Sequence, residues 1–137
     1  DVQRIMQAPF TSIASDGSAV TFGENVPHLR NYGTFPRVLR RYVRAKGLLS
    51  LEQAIRTMTT MPAARLGLND RGQLAQGMSA DISIFDPESV GDNDDWADPH
   101  HYATGFSHVL VNGTLVVSDG QRTDTFPGRV LKRTVHE

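Results

Sequence analysis

Two stretches decide how this chain reads: Ile13-Ala14-Ser15-Asp16-Gly17, and His28-Leu29-Arg30-Asn31-Tyr32-Gly33-Thr34-Phe35-Pro36-Arg37. Phe10 to Ser15 reads as a short buried strand with Asp16-Gly17 as its exit turn. A carboxylate therefore stands where a strand breaks at a glycine. Further along, an imidazole, a guanidinium and an aromatic ring share one loop. That is half of a hydrolytic site, with one group to move a proton and one to hold an anion. No residue pattern reads as a metal cradle or a nucleophile.

Outward from this core, residues 17–34 hold glycine, asparagine and proline with no steady period, so they are expected to form a long loop of the kind that carries function. From Pro36 the pattern turns helical. Val38, Leu39, Tyr42 and Val43 share one face, and Gly47 ends the run. Ser50 with Gln53 makes a capping box, and Leu51, Ala54, Ile55 and Met58 form the stripe of the helix that follows. Pro62 opens a further short turn that Gly67 closes. Beyond Asn69 the character becomes β-rich. Gly72-Gln73-Leu74 and Ala80 to Asp86 read as strands, and residues 86–99 as an acidic loop around Trp96. Val109 to Val117 reads as a hairpin turned at Asn112-Gly113. Arg122 to Glu137 reads as a polar tail.

Upstream, Val2, Ile5 and Met6 repeat at helical spacing until Pro9. A chain that opens inside an element, without methionine or signal-peptide order, is expected to be a piece of something longer.

Composition bounds the rest. At 39% hydrophobic and 21% charged residues the chain is expected to fold rather than stay disordered. A net charge of -1 gives no global field toward nucleic acid or an anionic membrane. No apolar run is long enough for a membrane helix. With no cysteine, disulfides, thiolate metal sites and cysteine nucleophiles are excluded, and a reducing, cytoplasmic setting is compatible.

Each candidate has a plainer rival. Ser15-Asp16-Gly17 recurs as Ser118-Asp119-Gly120, where it is most simply a surface turn, so the tripeptide alone says little. Context separates the copies, since the first follows a strand and leads into a long loop and a helix. Arg30 can grip a carboxylate with paired hydrogen bonds or be a surface arginine. His28 can carry a proton or be solvated. Arg37, Arg40, Arg41, Arg44 and Lys46 read as a solvated helix face rather than a nucleic-acid surface. His100-His101 lacks a third metal ligand, and Asp92-Asn93-Asp94-Asp95 lacks the glycine and glutamate of a calcium loop.

Taken together, the chain resembles the C-terminal part of the N-acyl-D-amino-acid deacylases (D-aminoacylases) of the amidohydrolase superfamily. The resemblance rests on Ile13 to Gly17, Arg30 to Leu39 and Met58 to Leu68. It continues through Arg71 to Leu74, Ala80-Asp81-Ile82, Phe85-Asp86-Pro87, Val109 to Gly113 and Gly128 to Leu131. Gly33-Thr34-Phe35-Pro36 after a strand-end aspartate points to the D-aminoacylase branch.

The resemblance implies an α/β fold, the C-terminal slice of a metal-dependent (β/α)₈ barrel plus strands of a small β-sandwich. Residues 1–68 would be the barrel's last strand and following helices, and residues 69–137 sandwich strands and tail. It also implies an enzyme cleaving the amide of small-molecule N-acyl-D-amino acids with Zn²⁺. Asp16 would be the catalytic acid–base and a possible metal ligand, Arg30 the binder of the substrate α-carboxylate, and His28 a further substrate contact. The family's His-x-His pair, cysteine ligand and later histidines have no match here. Its partner is accordingly the missing N-terminal barrel portion, with neither nucleic acid nor membrane involved. The isolated chain is expected to be inactive, exposing apolar faces of residues 1–15 and 38–58. A dihydroorotase-like or D-peptidase-like amidohydrolase, or a non-catalytic β-rich interaction module, is the alternative.

Overall fold

The computed structural model describes residues 1–132. Helix α1 spans Val2–Met6 and α2 spans Arg30–Arg37, which runs on into a π-helical stretch, Val38–Ala45. Helices α3, Leu51–Met58, and α4, Thr60–Leu66, follow. The remaining elements are strands β1, Ile82–Phe85, β2, Phe106–Val111, β3, Thr114–Ser118, and β4, Gln121–Arg122. They form one antiparallel meander in the order β1-β2-β3-β4. No helix is long and apolar enough to cross a membrane among the described residues.

The capping box forms as its residues require. The Gln53 N–H donates to Ser50 Oγ at 3.2 Å, and the Ser50 N–H to Gln53 Oε1 at 2.9 Å. Helix α4 ends on Gly67 at φ 71°, with the Leu68 N–H returning to the Ala63 carbonyl at 2.9 Å. The β2–β3 hairpin turns on Asn112 and Gly113, both at positive φ (47° and 79°), as a type I′ turn demands.

Three expectations change. Phe10 is part of a turn and Thr11 to Ser15 form no ladder, because among the described residues no strand pairs with them; the Ile13 N–H instead bonds the Thr57 carbonyl at 3.1 Å. Gly72 to Leu74 is a turn rather than a strand, with Gly72 at φ 91° and packed so close to α4 that a Cβ would lie 2.7 Å from Ala63 Cβ. Helix α2 starts at Arg30 and not at Pro36, so Arg30 to Thr34 is helical where a loop was expected. Pro36 sits inside it without an N–H to donate, and the helix widens to π geometry two residues later.

A small core joins the two halves. Val38, Leu39, Leu49, Ala54 and Val90 are buried together, with Ile13, Phe85 and Phe106 packed against them. Residues 38–58 thus bury their apolar face within the chain, contrary to expectation, whereas Val2, Ile5 and Phe10 stay largely exposed. Val90 reaches this core only because Gly105 has no side chain; a Cβ there would come within 2.4 Å of Val90 Cα. Arg71 gathers the turn before β1, pairing with Asp70 at 3.1 Å and with Asp81. Asp81 also takes the Asn112 N–H at 2.7 Å, which ties that turn to the hairpin.

Candidate functional site

The exit from the extended segment is built by close approach. A Cβ on Gly17 would stand 3.2 Å from Asn31 Cα and 3.3 Å from the Arg30 carbonyl, so the chain needs glycine to lie against the start of α2. Asn31 Oδ1 then accepts the Ser18 N–H at 3.0 Å. Thr34 Oγ1 reaches the Ser15 carbonyl at 3.4 Å. These ties hold Asp16, itself at φ 49°, over the first turn of α2. Its carboxylate meets Arg30 Nη1 at 3.2 Å. The Asp16 side chain is 85% exposed and that of Arg30 45%.

Arg30 and His28 line a cavity of about 500 Å³, together with Ile13, Val38 and Trp96. Asp16 is not one of its wall residues and touches it through Arg30. The Arg30 backbone N–H donates to His28 Nδ1 at 3.0 Å, which ties the ring to the first turn of α2. The His28 ring meets Trp96 edge-on at 4.8 Å between centroids. The three residues singled out from sequence are therefore neighbours, and Asp16 and Arg30 are in direct contact.

Sequence reasoning missed what clamps them. Asp92, with a side chain only 1% exposed, takes Arg40 Nε at 2.6 Å and Arg37 Nη1 at 3.1 Å. Arg40 Nη2 continues to Asp94 at 2.8 Å. Asp92 first, and Asp94 after it, raise the Arg40 guanidinium above its usual range by hydrogen bonding. Arg40 in turn holds the Asp94 carboxyl below the ordinary carboxylate range. Arg44 donates to the carbonyls of Pro87 at 2.7 Å and Val90 at 2.9 Å. The basic face is thus not simply solvated; it is the dock for the acidic loop. Charge complementarity between the two segments was the available signal.

His100 is the second missed residue. Its Nδ1 accepts the Gly23 N–H at 3.1 Å and lies 2.9 Å from the Tyr32 hydroxyl, while Nε2 faces the Asn25 carbonyl at 3.0 Å. Phe22, Tyr32 and Tyr102 pack round it. This clasp fixes residues 22–25 over α2. Nothing in the sequence around His100 signals it, because its partners lie more than 60 residues away.

Among the described residues no group of three histidine, cysteine, aspartate or glutamate side chains converges as a metal centre requires. The residues present therefore do not form a metal cradle, and Asp16 offers a single carboxylate toward one. What they can do is place an exposed carboxylate beside a guanidinium with donors to spare.

Comparisons with known proteins extend this geometry. The D-aminoacylase of Alcaligenes xylosoxydans xylosoxydans is 46% identical over 134 residues, covering 98% of this chain and 27% of that protein. A solved D-aminoacylase with a binuclear metal centre superposes at a TM-score of 0.88, with 44% identity over 96% of this chain and 27% of that one. The N-acyl-D-glutamate deacylase of Bordetella bronchiseptica, solved with zinc and a phosphonate mimic of the tetrahedral intermediate, superposes at 0.78. There the identity is 42%, over 88% of this chain and 26% of that one. The chain spans about a quarter of the length of these relatives. The amidohydrolase family model matches residues 1–117, a span that holds the aspartate-bearing exit, the arginine beside it and the loop docked behind them. With helices and sheet arranged as in that family's solved members, the chain belongs to the amidohydrolase family.

Proposed function

We propose that this chain supplies the C-terminal part of a zinc-dependent hydrolase that cleaves N-acyl-D-amino acids to a carboxylate and a free D-amino acid. The observation that carries the reading is the contact between Asp16 and Arg30 at 3.2 Å, on a framework 44% identical to a D-aminoacylase. In this reading Asp16 takes a proton from the attacking water and returns it to the departing amine, one carboxylate acting as base and then acid. Arg30 holds the substrate α-carboxylate. Its ion pair with Asp16 involves one Nη, and the rest of the guanidinium fork remains to bind a second anion. His28 steadies Arg30 through its backbone N–H and faces the substrate with its other nitrogen.

Zinc belongs to the proposal as a property of the complete enzyme, with its ligands mostly outside this chain and Asp16 at most one of them. No step above passes through it. Residues 1–68 would complete the barrel end, with Phe10 to Ser15 as its last strand once a neighbour pairs with it. Residues 69–132 would form the sandwich portion and the start of the tail, and the part of the tail expected over 133–137 lies outside the described residues. The cysteine-free sequence suits a cytoplasmic enzyme. The remaining barrel portion is the partner, and neither nucleic acid nor a membrane has a role.

The test is an assay on N-acetyl-D-methionine with zinc. The complete enzyme turns it over, Asp16→Asn lowers kcat by about 10³-fold, and the isolated chain is inactive. Full activity in the Asp16 variant, or turnover by the chain alone, refutes the reading.

A further inference from the structure

Trp96 has no part in the mechanism above, yet the chain goes to some length to hold it. It is 62% exposed, although water is an unfavourable place for an indole. The loop carrying it is nonetheless tightly ordered. Asp92 anchors its near end on Arg37 and Arg40. Asn93 Oδ1 accepts the Asp95 N–H at 3.0 Å, and Asp95 Oδ1 accepts the Ala97 N–H at 2.8 Å. Asn93 Nδ2 closes the loop by donating to the Asp98 carbonyl at 2.7 Å. Three side-chain bonds and a buried ion pair thus present one apolar ring on the wall of the cavity that also holds Arg30.

The ring's placement relative to Arg30 gives it a use. Trp96 stands edge-on to His28, 4.8 Å between centroids, and His28 is bonded to the backbone of Arg30. We propose that Trp96 is a specificity-determining residue, receiving the apolar side chain of an N-acyl-D-amino acid whose α-carboxylate is held by Arg30. The inference rests on the function proposed above. In such a substrate the carboxylate and the side chain leave the same α-carbon. With the carboxylate anchored at the guanidinium, the side chain therefore lies within reach of whatever lines the cavity next to it. Arg37 and Asp92 in the same wall are engaged with one another, and of the apolar groups that line the cavity the indole is the one packed on His28, the residue bonded to the anchor's backbone. Large unbranched or aromatic side chains, as in D-methionine or D-phenylalanine, match a flat ring better than D-alanine does.

The experiment compares selectivity in the complete zinc enzyme. The ratio of kcat/KM for N-acetyl-D-methionine to that for N-acetyl-D-alanine is measured in the wild type, Trp96→Ala and Trp96→Phe. The ratio falls at least tenfold in Trp96→Ala, through KM for the methionine substrate, and stays within about threefold in Trp96→Phe. Trp96→Gln, which keeps bulk but loses the ring, gives the same fall and serves if the alanine variant does not fold. An unchanged ratio in both Trp96→Ala and Trp96→Gln overturns the inference and leaves the proposed function standing. A wild type that hydrolyses neither substrate overturns the function and this inference with it.

Discussion

Gly33 sits in the middle of α2, where replacement by alanine ordinarily stabilises a helix by about 1 kcal/mol. Here the sign is expected to reverse. A Cβ at position 33 would lie 2.8 Å from Asp92 Cβ, well inside van der Waals contact, and the clash is with the root of that side chain rather than a mobile tip. Asp92 must then retreat from Arg37 and Arg40, which hold it at 3.1 and 2.6 Å. Breaking a buried ion pair costs about 3–5 kcal/mol. The two guanidinium side chains are about 30% exposed, so water recovers part of this, and a loss of about 2–3 kcal/mol is reasonable. Net of the helix gain, Gly33→Ala destabilises by about 1–2 kcal/mol. The assay is urea unfolding of the complete enzyme, as a double-mutant cycle with Asp92→Gly. Once the obstructing Cβ is removed, Gly33→Ala should stabilise by about 1 kcal/mol, giving a coupling of about 2–3 kcal/mol. If Gly33→Ala stabilises the wild type, or behaves alike in both backgrounds, the packing argument is wrong.

Other expectations follow from the same contacts. Arg30→Lys keeps the charge but loses the fork, and should raise KM for N-acyl-D-amino acids by about 10–100-fold in steady-state kinetics. Arg40 first holds the Asp94 carboxyl low, and hydrogen bonds from Arg71 and then Ser79 do the same for Asp70. The stability these carboxylates contribute is present above their unfolded value of about 4 and lost as pH falls through their depressed folded values. Thermal midpoints of wild type and Asp94→Asn should therefore differ at neutral pH and converge below about pH 3. Asn112→Ala should destabilise by about 1–2 kcal/mol in thermal unfolding, and Asn112→Gly by less. The asparagine sits at φ 47° and donates to the Pro127 carbonyl at 2.8 Å, and glycine tolerates that φ better than alanine does.

The elements legible in the sequence are those whose cause is local. Ser50 and Gln53 cap a helix within four residues, and Asn112-Gly113 closes a hairpin by its own dihedral preferences. The elements that escaped depend on distant partners. Arg30 to Thr34 looked like part of a loop because Asn31 and Gly33 are poor helix residues and the stretch has no steady period. Gly33 answers to Asp92, 59 positions away, and not to helix propensity. Phe10 to Ser15 has the composition of a strand, yet a ladder needs a second strand and none pairs with it among the described residues. In the site, Asp16, Arg30 and His28 could be picked out by chemical type and by family resemblance. Asp92 was signalled only by the opposite charges of its loop and the basic helix face, and His100 not at all, since each does its work by binding groups on segments far off in the chain.

The two Ser-Asp-Gly tripeptides carry a lesson for searching sequences by pattern. Asp16 and Asp119 adopt the same left-handed backbone, at φ 49° and 50°, although one stands over α2 and the other closes the β3–β4 hairpin. The short string reports a dihedral angle that aspartate and glycine satisfy cheaply, and carries no information about reactivity. What distinguishes the copies is the neighbour each acquires: a guanidinium for the first, and for the second only the imidazole of His108 at 3.9 Å. A turn is thus a neutral mount, and the charge that folding sets opposite it is what tells the two copies apart.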